Sequence, residues 1–351
     1  MAIDLTPGEI YFIGEMDVRS KEPSSYVKIG LVRERDDKRL DERVLEHQTG
    51  NPRQLTLLRS IKTQCVSRVE NHLHRSFATC QVSGEWFHLD MGGLDDSMAL
   101  CQQLANDADR RSVFVETAKA LSSQVSNGES LDPTDEMKDL HQQLLIAKHG
   151  TSLCTQLGKL VKSVLDELTD QGVDTSLYVS RQMKAGKKGL DEKQLQANHP
   201  DLYAQFVLTE EKFKTVPLTI TGLRKFEIDP SEISEEFGMI HQRIVDMSEL
   251  ARRGEISPDD FYELYLGVLG YEVSFEWTTN FIDAELKASV GEFDEIIGVC
   301  KWKREMKIDE KFDKVAFSEV HPDLAEQYAT RGPEELSTVL HKGRGAIGAR
   351  S

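Results

Sequence analysis

The sequence has few features of a secreted or membrane protein. Its five cysteines, at positions 65, 80, 101, 154 and 300, form no close pair, which argues against a disulfide scaffold and a cysteine-based zinc site. No segment approaches the ~20 consecutive apolar residues that span a bilayer. The N-terminus also lacks the basic segment and apolar run of a secretory signal. We therefore expect a cytoplasmic protein with reduced thiols and no membrane partner.

Basic residues are also in short supply. The 351-residue chain has 43 Lys and Arg against 60 Asp and Glu, which gives a formal net charge of −17. Most of the excess acid lies after residue 95. Because an acidic surface repels phosphate, any contact with nucleic acid must depend on local basic patches. The overall charge is also that of an ordinary well-hydrated protein, so it identifies no partner.

The N-terminal residues have the pattern of a compact unit that mixes strands and helices. Segments 8–14, 26–32 and 54–63 are rich in apolar and β-branched residues and predict strands. Residues 36–48 predict a helix that ends at the "TGNP" turn, and a second helix near 66–77 carries an apolar stripe on one face. We expect a small three-stranded antiparallel sheet with flanking helices, in a protein of the α+β class.

The rest of the chain is predicted to be mainly helical and to contain an internal duplication. Three landmarks recur in the same order, and each predicted copy has a helix, a basic strand or hairpin, a helix that opens near His-Pro-Asp-Leu, and another strand. The matched pairs are "LHQQ" at 140–143 with "IHQR" at 240–243, "RQMK" at 181–184 with "REMK" at 304–307, and "LDEKQLQANHPDL" at 190–202 with "FDKVAFSEVHPDL" at 312–324.

These patterns divide the chain into four predicted parts. Residues 1–95 form the mixed unit, and residues 96–132 form a helical linker. The two copies of the duplicated module then occupy residues 133–230 and 231–351. The predicted architecture is therefore one small domain followed by a helical tail built from two similar helix, β-hairpin and helix modules.

Tyr11 and Lys28 are polar residues within two otherwise apolar predicted strands. Because alternate residues of a strand share a face, a hairpin of these strands can place Tyr11 and Lys28 on one side. A nearby ammonium would lower the pKa of the phenol and make Tyr11 a general base that activates water. Spacing alone is better explained by an ordinary surface tyrosine and a lysine whose stem covers the sheet.

The two predicted helices carry further candidates. Arg39, Arg43 and His47 are four residues apart and therefore line one face of the first helix. Arginine on that face can bind a phosphate through two hydrogen bonds. A solvated face of ion pairs with neighbouring acidic residues is the better explanation from spacing alone. Glu70 borders the apolar stripe of the second helix, with His74 one turn on. A carboxylate in such a place suits Mg²⁺ or Mn²⁺, and a surface glutamate near a histidine is the simpler alternative.

Taken together, the motifs "EIYFIG", "YVKIG", "RVLEHQTGNPRQL", "VENHLHRSF" and "GEWFHL" resemble the GIY-YIG nuclease superfamily. They are most similar to its phage-type branch, in which Lys-Ile-Gly forms the second motif. The resemblance covers about residues 8–90, a quarter of the chain. Each motif is weak alone, and five in the same order make the resemblance fairly specific.

The resemblance implies metal-dependent hydrolysis of a DNA phosphodiester. Tyr11 then stands at the expected base, Lys28 in the second motif, Arg43 at the helix arginine, and Glu70 at the single ligand of Mg²⁺ or Mn²⁺. His47 and His74 would belong to the same set of catalytic residues. Arg39 is an alternative to Arg43, because the gap that precedes Arg43 is long. Trp86 and Phe87 would close the core behind the site.

Basic residues in the two modules are candidates for contact with DNA phosphates. A solvated strand face that balances local acid is an equally good explanation for them. Trp302, within the second group, is expected to fill the core rather than to stack on a base. The candidates are Lys184, Lys187 and Lys188 in the first copy, and Lys301, Lys303, Arg304 and Lys307 in the second.

The sequence thus favours a DNA endonuclease, with DNA as its partner. We expect its one catalytic centre to nick one strand as a monomer, whereas a double-strand break would need a homodimer or two visits. The second module also resembles, weakly, the tail of YqaJ-type phage recombination exonucleases, which implies a role in mobile elements or phage conflict. A non-catalytic DNA-binding protein that keeps the nuclease fold, or an adaptor whose acidic helices bind proteins, is the alternative.

Overall fold

A computed structural model describes residues 3, 5–36, 40–49 and 51–343. The predicted α+β class is confirmed, because an N-terminal antiparallel sheet with flanking helices precedes a largely helical region. The N-terminal elements are β1 (Gly8–Met16), β2 (Pro23–Arg33), α1 (Leu40–Gln48), β3 (Gln54–Thr63), α2 (Val66–Ser76), β4 (Gln81–Ser83) and β5 (Trp86–His88).

The remaining elements follow in two groups, and each long helix begins at a capped residue. The first group is α3 (Met91–Leu121), β6 (Ser130–Leu131), α4 (Asp135–Asp170), β7 (Val179–Lys184), β8 (Lys188–Leu190), α5 (Glu192–Asn198), α6 (Pro200–Gln205), β9 (Val207–Thr215) and β10 (Thr219–Ile220). The second group is α7 (Pro230–Ile233), α8 (Glu235–Arg252), α9 (Pro258–Val290), β11 (Glu295–Ile296), β12 (Cys300–Lys301), β13 (Arg304–Phe312), α10 (Lys314–Val320), α11 (Pro322–Gln327), β14 (Ala329–Arg331) and β15 (Glu335–Leu340).

The N-terminal sheet has the strand order β3-β1-β2-β5-β4. The three predicted strands form its larger part, with β1 antiparallel to both neighbours. The short strands β4 and β5, from the "GEWFHL" segment, extend the sheet beyond β2. Tyr11 lies opposite Gly30, and Ile13 lies opposite Lys28, so all four side-chain positions share one face.

The two faces of this sheet bury different groups. On one face, residues such as Ile10, Phe12 and Ile29 pack with the apolar stripe of α2 and with α3. On the opposite face, Tyr11 and Ile13 pack with residues of α1 and β3. The strand period of two therefore sends Tyr11 to the α1 side, and the neighbouring residues to the core beneath the sheet.

Helix α9 joins the N-terminal unit to the rest of the chain. It packs with α4 and α8 around a common apolar core and also contacts α2 and α3. Arg75 on α2 forms ion pairs with Glu272 and, at 2.7 Å, with Glu276 on α9. Lys342 lies 2.9 Å from the same Glu272 carboxylate. These paired charges are needed because Arg75 and Glu272 are both buried.

The two matched segments of the tail form equivalent elements that exchange strands. Each contains two short helices, α5 and α6 in the first copy and α10 and α11 in the second, around one shared apolar core. Strand β9 of the first copy pairs with β13 of the second, whereas β7 and β8 pair with β15 and β14. The Asp191 N–H donates to the Tyr328 carbonyl at 2.9 Å, and Asp313 makes the equivalent bond to Phe206 at 2.8 Å. The copies are therefore related by an approximate twofold axis.

Across the described ranges, the helices are all too short or too polar to cross a membrane. The five cysteines are free thiols, and four of them are buried.

Candidate active site

Tyr11 and His47 meet above the N-terminal sheet. The Tyr11 hydroxyl lies 3.1 Å from His47 Nε2, and the Tyr11 side chain is only 3% exposed. Tyr11 fits there because its ring covers Gly30, where an added Cβ would come within 2.5 Å of the hydroxyl. Helix α1 holds His47 in place, since the Gln48 side chain accepts a 2.8 Å hydrogen bond from the Leu55 N–H on β3.

The ionisation of Tyr11 differs from the prediction made from the sequence. The pKa of Tyr11 is raised, chiefly by burial and next by the negative charge of Glu85, while Arg43 only partly opposes the shift. The expected lowering by Lys28 is therefore wrong, because burial disfavours the phenolate. Burial also lowers the pKa of His47, which leaves a neutral imidazole able to accept the Tyr11 O–H.

Lys28 reaches the same side of the sheet, but its charge is already paired. Its Nζ lies 2.5 Å from Glu85 Oε2, at the start of β5. The Lys28 side chain is 10% exposed, whereas that of Glu85 is 44% exposed. A buried ammonium requires such a partner, and Glu85 supplies it from a hairpin added at the edge of the predicted sheet.

Arg43 approaches the pair from α1. Its Nη1 lies 3.3 Å from Glu46, and its positive charge acts on both Tyr11 and His47. Within the described residues its buried Nε has no hydrogen-bond partner, which is unusual for a guanidinium donor. The Arg43 side chain as a whole is 28% exposed, so other parts of it are open to an anionic ligand such as a phosphate. Arg39, the sequence-based alternative, lies outside the described residues.

Glu70 lies on α2 and is electrostatically coupled to the other candidates. Burial first and Glu85 second raise the pKa of Glu70 to about 7, while Arg33 and Lys28 oppose the shift. In the part of the chain that the structure describes, the Glu70 carboxylate makes no hydrogen bond or ion pair. A half-buried carboxylate with free oxygens suits a divalent cation, which would compensate its unfavourable burial.

A metal bound here would depend on few protein ligands. The described residues include no group of three or more His, Cys, Asp or Glu side chains that could hold a metal. Mg²⁺ commonly keeps several waters and binds through one or two carboxylates together with substrate phosphate. The environment of Glu70 fits that mode, and it does not fit a closed structural zinc site.

His74 has a different task from the one predicted. Its Nε2 lies 2.9 Å from the Ile29 carbonyl, and its ring packs against Phe87 at 5.1 Å. Burial lowers the pKa of His74, so the neutral ring donates that hydrogen bond. His74 therefore ties α2 to β2 within the core, and its assignment to the reactive group is corrected.

Two charged residues of the site were missed in the sequence. Glu85 perturbs Tyr11, His47 and Glu70. Arg33 lies beside α2, with its Nη2 3.4 Å from Ser67 Oγ, and its charge acts on Glu70. The sequence signal for Glu85 was the glycine that precedes it, because glycine is typical of tight turns. In the structure Gly84 has a φ of 57° and turns the chain back to the sheet.

The basic residues of the tail fall into three groups. Lys184, Lys187 and Lys188 are exposed around the turn between β7 and β8. Lys301 pairs with Glu295 at 2.6 Å. Two further lysines share Glu305, with Nζ to carboxylate distances of 3.0 Å for Lys303 and 2.6 Å for Lys307. All six lysines remain accessible to a ligand.

Arg304 is the exception, and its assignment to DNA contact is wrong. It is 1% exposed, and its Nη2 donates to the Gly291 carbonyl at 2.6 Å. Its guanidinium lies 4.4 Å from the centre of the Trp302 ring, which is itself buried in the core. Arg304 therefore closes the end of α9 and does not reach solvent.

Residues 8–102 match the family model of the T5orf172 domain, a phage-associated domain related to nuclease-type folds of the GIY-YIG and HNH kinds. The match spans the whole N-terminal sheet, its two helices and the first part of α3. No curated protein and no solved structure matches the chain. The domain is compatible with a nuclease-like or DNA-binding role.

Proposed function

We propose that this chain is a metal-dependent DNA endonuclease whose N-terminal domain nicks one strand. The observation that carries the proposal is the 3.1 Å contact of the Tyr11 hydroxyl with His47 Nε2, with the charges of Arg43 and Glu70 close enough to act on the phenol. The T5orf172 match supports a nuclease-type domain at the same residues. The Lys-Ile-Gly motif further favours the phage-type GIY-YIG branch and a role in mobile elements or phage conflict.

Tyr11 and His47 together supply the base. Because its pKa is raised, Tyr11 enters the reaction as a neutral phenol. We expect the attacking water to give its proton to the Tyr11 oxygen as the phenolic proton passes to His47 Nε2, which lies 3.1 Å away. The water oxygen then forms a bond to phosphorus, and the bond to the leaving 3′ oxygen breaks.

Cationic side chains stabilise the charge that develops on the phosphate. Arg43 can donate through its partly exposed guanidinium, and Lys28 can donate through its ammonium. Glu70 would hold Mg²⁺ or Mn²⁺, which supplies Lewis-acid polarisation of the phosphate and compensation of the leaving-group charge when bound. One such site cuts one strand, so a double-strand break requires two sites or two visits.

The tail would position the DNA. Its exposed lysines, in two copies related by an approximate twofold axis, suit contact with the phosphate backbone. Lys184, Lys187 and Lys188 are the strongest candidates, because they cluster at one exposed turn. The acidic surroundings predict weak binding that is sensitive to salt.

A second function, DNA binding without cleavage, is favoured by a specific observation. Acidic side chains pair with both reactive cations, since Glu85 lies against Lys28 and Glu46 against Arg43. A domain in which Glu46 keeps Arg43 away from the substrate phosphate would bind DNA without hydrolysing it. Tyr11 would then have only a structural role beneath α1.

Incubation with supercoiled plasmid and Mg²⁺ or Mn²⁺ tests both functions. We expect the wild-type protein to produce open-circular DNA, and Glu70→Ala and Tyr11→Phe to produce little or none. Equal activity in all three proteins would reject the catalytic assignment. Salt-sensitive DNA binding without metal-dependent cleavage would favour the non-catalytic function. Sequencing the product ends would identify the strand and any preferred sequence.

A further inference from the structure

We propose that Glu85 is a positioning residue of the active site. It holds the Lys28 ammonium where that group can donate hydrogen bonds to a substrate phosphate. This inference rests on the proposed nuclease function and adds to it a residue from a different part of the chain. Glu85 belongs to the hairpin of β4 and β5, outside the strands and helices that carry the other candidates.

The backbone fixes Glu85 beside Lys28. The Ile29 N–H donates to the Glu85 carbonyl at 3.0 Å, and Trp86 lies directly opposite Lys28 in the pairing of β2 with β5. Gly84 adopts a φ of 57°, which turns the chain immediately before Glu85. The Glu85 backbone is therefore held by sheet hydrogen bonds on one side and by a tight turn on the other, which places the side chain within reach of Lys28.

The burial of Lys28 explains why this contact is needed. A lysine with a side chain that is 10% exposed has lost most of its hydration, and an unpaired ammonium there is costly. Glu85 Oε2 lies 2.5 Å from Lys28 Nζ and compensates the charge. Among the described residues, no other acidic side chain forms an ion pair with Lys28.

Glu85 acts through Lys28 and not on the phosphate itself. A carboxylate placed directly against a phosphodiester would repel it, since both groups are negative. An ammonium held by that carboxylate can instead direct its remaining N–H donors toward the phosphate oxygens. The position of Lys28, rather than the affinity for DNA, is what Glu85 controls.

Two substitutions of Glu85 and a control test this role on supercoiled plasmid in single-turnover nicking experiments. We expect Glu85→Ala to lower the maximal rate by about 10²-fold, as for a displaced catalytic group, with little change in the protein concentration that gives half the maximal rate. Glu85→Asp should restore part of the rate. Ser83→Ala, on the same hairpin, should retain the wild-type rate and the wild-type thermal unfolding temperature.

A double-mutant cycle separates action through Lys28 from a general structural effect. In a Lys28→Ala background, Glu85→Ala should cause no further loss of rate. Independent, multiplicative losses would overturn the proposal, as would a wild-type rate for Glu85→Ala.

The reactivity of Lys28 toward acetic anhydride, followed by peptide mass spectrometry, gives a readout without DNA. We expect acetylation of Lys28 to be at least about threefold faster in Glu85→Ala than in the wild type, because the carboxylate that engages the Lys28 ammonium is removed. Unchanged acetylation would overturn the proposal. Faster acetylation would support the positioning of Lys28 by Glu85 even if none of the proteins nicks the plasmid. The absence of nicking would then reject the nuclease function and leave the contact between Glu85 and Lys28 in place.

Discussion

The Tyr11 hydroxyl and His47 Nε2 lie 3.1 Å apart although 36 residues separate them along the chain. The contact joins strand β1 of the sheet to helix α1. It also explains how a phenol with a raised pKa can take part in proton transfer, because His47 is a neutral acceptor for its proton. The proposed chemistry depends on this pair.

Replacing Tyr11 with phenylalanine removes the hydroxyl and keeps the ring. We expect plasmid nicking by Tyr11→Phe to fall by about 10²–10⁴-fold, the usual contribution of a general base. Tyr26→Phe is the matched control, because Tyr26 is exposed and lies on the neighbouring strand. A comparable loss in both variants would contradict the assignment to Tyr11.

Glu70→Gln should reduce activity and increase stability. The pKa of Glu70 in the folded protein is about 7, above its ordinary value of 4.5. Its contribution to stability is therefore complete below pH 4.5 and is lost as the pH rises through 7. At pH 8 without metal, the amide should raise the free energy of unfolding by roughly 1–2 kcal/mol, after allowance for partial exposure.

Urea unfolding of both proteins at pH 4 and pH 8 would measure this difference. The two proteins should differ little at pH 4. Glu116→Gln, an exposed position on α3, is the control for the loss of one negative charge. Lower stability of Glu70→Gln at pH 8 would argue that the carboxylate is stabilised in the fold rather than strained by burial.

Gly30→Ala should disturb the site by steric contact. An added Cβ would come within 2.5 Å of the Tyr11 hydroxyl and 2.6 Å of Cζ, so the ring must move away from His47. Overpacking of this kind costs about 1–3 kcal/mol, and we expect a lower unfolding temperature together with strongly reduced nicking. Gly14→Ala, where the nearest atoms to the added Cβ belong to the flexible Leu58 side chain, should be much milder.

The buried His72 should make stability fall in acid. Burial lowers its pKa to about 4, whereas the unfolded chain binds the proton near pH 6.5. Between these values only the unfolded chain is protonated, so stability decreases as the pH drops through this window, by up to about 3 kcal/mol. His72→Gln should show a smaller difference between urea unfolding at pH 7 and at pH 4.5, and His88→Gln, an exposed control, should not.

The exposed turn between β7 and β8 should contribute to DNA affinity. We expect a double variant, Lys187→Glu with Lys188→Glu, to bind duplex DNA more weakly and with a shallower dependence on salt concentration, because phosphate contacts release counterions. Lys119→Glu on α3, also exposed, should have little effect. An equal effect per unit of charge from both changes in a filter-binding titration would indicate a response to total charge.

Local patterns in the sequence were sufficient for the class of the fold and for part of the site. The second helix of the N-terminal unit was predicted near residues 66–77 from its apolar stripe, and it is observed as Val66–Ser76. Strand alternation placed Tyr11 and Lys28 on one face, and the observed register of β1 with β2 agrees. The repeated landmarks likewise identified segments that become equivalent helices.

The tertiary structure alone decided how these groups are charged and paired. Glu85 reaches Lys28 only because a short hairpin adds to the sheet, and no spacing rule links two residues 57 positions apart. The pKa of Tyr11 is raised rather than lowered because α1 covers the ring. Arg304 cannot contact DNA because it is buried against the C-terminal end of α9. Periodicity reports which face a residue occupies, whereas burial and charge pairing depend on segments that meet only when the chain folds.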